Sequence, residues 1–138
     1  MTIAVDFDGT IVENKYPEIG KELPFAIHTL QLLQEEGNRI ILFTSREGEL
    51  LDAAVTFCHE RGLDFYSINS NNPPDALFPR QTAKVIADVY IDDRNLGGIP
   101  DWNTIYEMIG QQRAERREKR KRKSRWRSRA CGCAAAHR

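Results

Sequence analysis

A chain of 138 residues with 41% hydrophobic content has the length and apolar share of one domain. No apolar run approaches the roughly 18–20 residues that cross a bilayer, and three cysteines make no disulfide framework. The formal charge of zero hides a division: residues 1–112 carry 8 Lys and Arg against 18 Asp and Glu, whereas residues 113–138 carry 12 against 2.

An acidic domain over 1–112 and a basic tail over 113–138 are therefore expected. Met1-Thr2-Ile3 enters a strand without a leader-like segment, and the sequence reads as that of a soluble, cytoplasmic protein with no membrane partner.

In chain order, residues 2–7 read as a buried strand that ends in Asp6-Phe7-Asp8-Gly9-Thr10. Side chains two apart on a strand share a side, so Asp6 and Asp8 face one crevice and Phe7 turns to the core. Two same-facing carboxylates carry an electrostatic cost unless a divalent cation or a shared proton relieves it. Residues 11–23 form a connection too short for a domain. A helix follows from Pro24, a residue suited to the first helical position, with Phe25, Ala26, Ile27, Leu30, Leu32 and Leu33 on its apolar side, and Gly37 closes it.

Residues 39–44 predict a second strand, apolar through its middle as in a sheet covered on both faces. A helix over about 47–61 comes next, then a weaker strand over 64–68. An Asn- and Pro-rich loop spans 69–80, and a fourth strand over 87–91 leads into Asp92-Asp93-Arg94. A last helix starts near Asp101, its expected N-cap, and carries Ile105, Met108 and Ile109 inward. Alternating strands and helices predict an α/β sandwich with a mostly parallel sheet. From about Arg113 the apolar spacing is lost, and the tail is expected to fray or be disordered after a turn or two of helix.

Ligands of open parallel sheets bind at the C-terminal ends of strands. Asp6, Asp8, Thr44, Asp92 and Asp93 all fall there, with Lys84 eight residues before Asp92. Each alone has a plainer explanation, such as a helix cap for Thr44 or turn chemistry for Asp92-Asp93.

Together, DFDGT at 6–10, a strand ending in Thr44, Lys84 and IDD at 91–93 resemble the motifs of the haloacid dehalogenase-like (HAD) superfamily. TSREGELLDAA and IDDRNLGGIPDW resemble a group of its small single-domain members. The resemblance implies a Rossmann-like three-layer sandwich, strand order 3-2-1-4, without a separate cap domain. It implies a phosphatase in which Asp6 attacks phosphorus to form an aspartyl-phosphate and Asp8 acts as general acid and base. Thr44 and main-chain N–H groups around residues 7–8 and at Ser45 would hold the phosphoryl oxygens, and Lys84 would neutralise charge, with Arg80 as the rival cation in the same segment. Mg²⁺ would be held by Asp6, by the main-chain oxygen of Asp8 and by Asp92, with Asp93 ligating directly or through water and the order of Asp92 and Asp93 left open. The second aspartate, which dehalogenases lack, argues for phosphate esters.

Arg46 and Arg94 each follow a motif and are candidates either to bind substrate or to offset the acidic site. The substrate is expected to be a phosphorylated small molecule or macromolecule. Tyr16, Tyr66 and Phe78 could line an entrance. The alternative reading is a non-catalytic phosphate- or nucleic-acid-binding protein that uses the basic tail over 113–138, with Trp126 stacking on a base. Cys131, Cys133 and His137 fall short of a closed zinc site.

Overall fold

The first strand forms where β-prone, wholly apolar residues meet: β1 (Thr2–Val5) holds Ile3, Ala4 and Val5, all buried. It pairs in parallel with β2 (Arg39–Leu42), Ile3 opposite Ile40 and Val5 opposite Leu42. On its other side it pairs in parallel with β4 (Val89–Ile91), Val5 opposite Ile91. β3 (Ser67–Ile68) pairs in parallel with β2, so the sheet is wholly parallel in the order β3-β2-β1-β4. This is an α/β, Rossmann-like arrangement, with the strand order predicted. The computed structural model describes residues 1–77, 79 and 82–133, with side chains through residue 128.

Alternation along the strands builds the core. Ala4 and Ile41 share a face with Val85, and Tyr66, Ala87 and Tyr90 pack against them. Ile3, Val5, Ile40 and Leu42 point the other way and are fully buried. The helices α1 (Ala26–Glu35) and α2 (Gly48–His59) present Ile27, Leu30 and Leu33, and Ala54 and Cys58, respectively, as their buried residues.

Helix α1 begins two residues later than Pro24 predicts. Phe25 adopts a left-handed conformation (φ 64°), which places Pro24 and Phe25 in a turn. The Phe25 carbonyl then accepts the Thr29 N–H at 2.9 Å, and the helical ladder starts from there.

Helix α3 (Trp102–Cys133) starts where Asp101 accepts the Asn103 N–H at 3.1 Å, the expected cap. It does not stop near Arg113. Arg, Lys, Glu, Gln and Ala are all good helix formers, and neither Gly nor Pro interrupts the segment from Gln111 to Ala130. Local preference thus sustains a helix where the loss of an apolar stripe had predicted fraying. The chain divides into two compact units between Asn103 and Thr104. None of the described helices is long and apolar enough to cross a membrane.

Candidate functional site

In this sheet the strand order reverses at β1, which has β2 on one side and β4 on the other. The crevice beyond the C-terminal ends of such strands is where the topology leaves room for a ligand. A crevice of about 340 Å³ lies there, lined by Asp6, Asp8, Phe43, Thr44, Ser45, Asp92 and Arg94.

The chain leaves β1 along a tightly specified path. The Asp6 N–H donates to the Ile91 carbonyl at 2.9 Å, and Phe7 is fully buried with its ring edge-to-face with Phe57 at 6.0 Å. Gly9 then takes a left-handed conformation (φ 82°) and passes so close to Asp93 that a Cβ there would collide with its carboxylate. Thr10 is fully buried and ties the two strand ends together. Its hydroxyl donates to Asp6 Oδ2 at 3.4 Å and accepts the Asp93 N–H at 3.1 Å, while its carbonyl accepts the Trp102 indole N–H at 3.0 Å.

This path brings Asp6, Asp92 and Asp93 together, with one carboxylate oxygen of each lying within 4.8 Å of the others. The cluster is electrostatically unsatisfied. Burial pushes the Asp6 carboxyl up to about 6, the Phe7 main chain offsets part of that by hydrogen bonding, and the charges of Asp92, Asp93 and Asp8 add to it. Burial likewise raises Asp93, helped by its hydrogen bond to Asp92 and that neighbour's charge. Asp93 Oδ1 is buried with no hydrogen-bond partner among the described residues. Asp92 is steadied by the Arg94 N–H at 2.8 Å. Three hard oxygen donors around an orphaned carboxylate oxygen fit a divalent cation such as Mg²⁺ or Ca²⁺.

Asp8 lines the same crevice, but its carboxylate belongs to a different cluster. Both of its oxygens accept from Arg46, Oδ2 from Nε and Oδ1 from Nη2, each at 2.7 Å. Arg46 is fully buried. Its remaining donors reach the carbonyls of Pro17 at 3.0 Å, Glu18 at 2.9 Å and Leu50 at 3.5 Å, and its guanidinium lies 5.2 Å from the Phe7 ring and 5.3 Å from that of Tyr16. The hydrogen bond and charge of Asp8 hold the Arg46 guanidinium above its ordinary range. Arg46, a candidate substrate ligand from the sequence, is thus buried with its donors engaged by Asp8 and by main-chain carbonyls. It offsets the acidic site and clamps the 11–23 connection, which folds back on itself through a Leu23 N–H to Ile11 carbonyl bond of 2.8 Å. Of the expected metal ligands, Asp6, Asp92 and Asp93 converge through their carboxylates; the carboxylate of Asp8 turns to Arg46, its expected ligand atom being the main-chain oxygen.

Thr44 sits two residues beyond β2, where its hydroxyl accepts the Arg46 N–H at 3.2 Å and can still donate to a ligand. Asn69, in a left-handed conformation (φ 49°) just after β3, fixes that turn. It accepts the Thr44 N–H at 2.8 Å and donates to the Thr44 carbonyl at 2.9 Å. Asn is among the residues that most readily enter this conformation. Sequence reading passed over Asn69 because it stands in a run of Asn and Ser.

Ser45 and Arg94 are exposed at the crevice. Lys84 is exposed and does not line it; the ammonium stands 5.2 Å from the centre of the Tyr90 ring. Among the described cations, then, Arg94 occupies the crevice wall and Lys84 does not. Tyr66 packs against the core under Arg39, at 4.8 Å, rather than at an entrance. Arg80, Phe78, His137 and the side chains of Cys131 and Cys133 lie outside the described residues.

No family model matches the chain, and no curated protein matches it. It is similar to a solved structure described as that of the conserved protein coded by locus from Bacteroides thetaiotaomicron. Identity is 58%, the match covers 81% of this chain and 91% of the other, and the TM-score is 0.76. The chain belongs to the family of that conserved protein.

Proposed function

We propose that the protein is a Mg²⁺-dependent phosphohydrolase of the HAD type, in which Asp6 is the nucleophile. The observation that carries this reading is the convergence of Asp6, Asp92 and Asp93 within 4.8 Å at the ends of β1 and β4. A phosphoryl group is an anion that needs an in-line nucleophile and compensating positive charge. Asp6, Asp92 and Asp93 would hold the cation, which would supply that charge. Asp6 presents its other oxygen to phosphorus, Thr44 and Ser45 offer hydroxyl donors to the phosphoryl oxygens, and Arg94 adds a fixed positive charge at the wall. Asp8 is committed to Arg46 and holds the chain's exit from β1 in place.

The test compares Asp6→Asn with the intact chain on 4-nitrophenyl phosphate and acetyl phosphate with Mg²⁺. The expected outcome is loss of at least about a thousandfold in turnover, since the attacking group is removed. Equal turnover by both proteins, or none by either, defeats the proposal.

A second reading attaches to α3. Its basic stretch from Arg116 to Arg127 is helical and exposed, with cations on every side and no apolar stripe. A membrane-surface helix needs such a stripe; a polyphosphate backbone needs only charge. In this reading the partner is RNA or DNA. Affinity for a single-stranded oligonucleotide should fall steeply with salt and collapse when residues 113–138 are removed. An affinity unchanged by that truncation defeats it.

A further inference from the structure

The crevice has an apolar wall that a phosphoryl group does not need. Among the described residues that line it, Phe43 alone is apolar; Asp6, Asp8, Thr44, Ser45, Asp92 and Arg94 are polar or charged. Phe43 is 37% exposed. A single exposed apolar residue is ordinary on a protein surface. Phe43 differs because it stands in a concave site beside the acidic cluster, and because its surroundings fix it there.

Alternation along the sheet explains both its place and its exposure. Ile41, two residues earlier on the same face, is fully buried with Ala4 and Val85. Phe43 lies just past the end of β2, beyond that cover. Its N–H still donates to the Val5 carbonyl at 2.8 Å, and the next residue, Thr44, is clasped on both sides of its peptide by Asn69. Tyr90 packs against the same cluster as Ile41, and its ring meets that of Phe43 edge to face, with centroids 6.5 Å apart. Tyr90 is held in turn: its hydroxyl donates to the Val85 carbonyl at 2.6 Å and accepts the Ala87 N–H at 3.2 Å.

An aromatic side chain that is already fixed loses little freedom when a ligand arrives, so little of the contact is spent on ordering it. A crevice of about 340 Å³ takes more than a phosphoryl group. The part of the substrate next to the phosphate therefore meets Phe43, and the partner an aromatic ring matches best is another flat ring.

We propose, resting on the phosphohydrolase reading, that the substrate is a phosphate monoester whose alcohol carries a flat aromatic ring, a nucleobase or an aryl group, and that Phe43 selects it by stacking. Hydrolysis releases the ring-bearing alcohol and inorganic phosphate, with water giving its hydroxyl to phosphorus and a proton to the alcohol.

The experiment measures kcat and KM of the full chain with Mg²⁺ on two matched pairs. Adenosine 5′-monophosphate and ribose 5-phosphate depart through the same primary alcohol oxygen and differ in the base. Benzyl phosphate and cyclohexylmethyl phosphate differ in whether the ring is flat. The member with the flat ring is expected to have a kcat/KM at least about tenfold higher in one pair or in both. A preference in the first pair assigns a nucleobase, and one in the second pair alone assigns a simple aryl group. Members equal to within about threefold in both pairs overturn the proposal.

Phe43→Ala ties the preference to this residue. It is expected to raise KM for the flat-ring member by about tenfold more than for its partner, because a stacking contact made before and during the reaction acts on binding. Phe43→Leu keeps an apolar side chain against Tyr90 but has no flat face, and it is expected to narrow the preference in the same way; if Phe43→Ala fails to fold, this variant decides. A preference that survives undiminished, or a loss confined to kcat, overturns the role given to Phe43. Turnover of none of the four compounds defeats the phosphohydrolase reading itself, and this proposal with it, a result distinct from turnover without preference.

Discussion

Asp6 and Asp8 stand two residues apart on the path out of β1, yet each belongs to a separate charged cluster. Around Asp8 the charges balance: one carboxylate meets one guanidinium, and every donor of Arg46 has an acceptor. Around Asp6 they do not. Three carboxylates converge, one oxygen of Asp93 is buried without a partner among the described residues, and the Asp6 carboxyl is pushed up to about 6. A balanced buried cluster holds a fold together, and one left unbalanced has charge to offer a ligand. The physical contrast therefore sorts neighbouring residues of identical type into a structural and a chemical role, and stability measurements can break that sorting.

The largest effect is expected at Arg46. Arg46→Met leaves Asp8 with an uncompensated charge, removes the clamp on the 11–23 connection and should cost about 3–5 kcal/mol in urea unfolding. The double variant Arg46→Met/Asp8→Leu should recover part of that loss, because no buried charge is left unpaired. A single-variant loss under about 1 kcal/mol, the scale of an exposed pair, would show that the Asp8 cluster is not structural.

The same contrast explains what sequence could tell. The strands and the convergence of residues 6, 92 and 93 were legible because short apolar runs specify strands and a parallel sheet gathers their C-terminal ends, whereas the order of the sheet followed only from the family resemblance. The choice of partner for each side chain was not. Arg46 lies 38 residues from Asp8, and no local pattern announces that its guanidinium faces inward to meet a carboxylate instead of outward to meet a substrate. Asn69 was hidden for a related reason. Its role depends on a left-handed backbone and on Thr44, which lies 25 residues earlier. Helix α3 past Arg113 is the opposite case: the missing apolar stripe predicts fraying, whereas the helix propensity of Arg, Lys and Glu carries the helix on.

The Asp6 cluster offers the next effect, and its sign differs from that at Arg46. Saturating Mg²⁺ should stabilise the intact chain by about 2.7 kcal/mol at a hundred times the dissociation constant, read as a rise in Tm over the same protein in EDTA. Asp92→Asn or Asp93→Asn should lose most of that rise. A Tm that does not respond to Mg²⁺ would remove the cation from the account of the cluster.

The smallest effect is the most discriminating, because it asks whether Asp6 destabilises its own fold. Its carboxyl is raised from 3.8 to about 6 on folding, chiefly by burial. Between those values the folded chain holds a proton that the unfolded chain has lost, so stability falls as pH rises through the window and levels off above it. Asp93 is raised as well and adds a contribution of the same sign. Asp6→Asn abolishes the titration at that position. In EDTA at pH 8 the variant should be more stable than the intact chain by about 1 kcal/mol, once the partial exposure of the site is allowed for. The advantage should shrink towards zero as pH approaches 4. With Mg²⁺ at pH 8 the order should reverse, since the intact carboxylate is then a ligand and the amide a poor one. If Asp6→Asn is instead less stable than the intact chain at pH 8 in EDTA, the negative charge at this position is already compensated within the fold. The distinction between the two clusters would then fall.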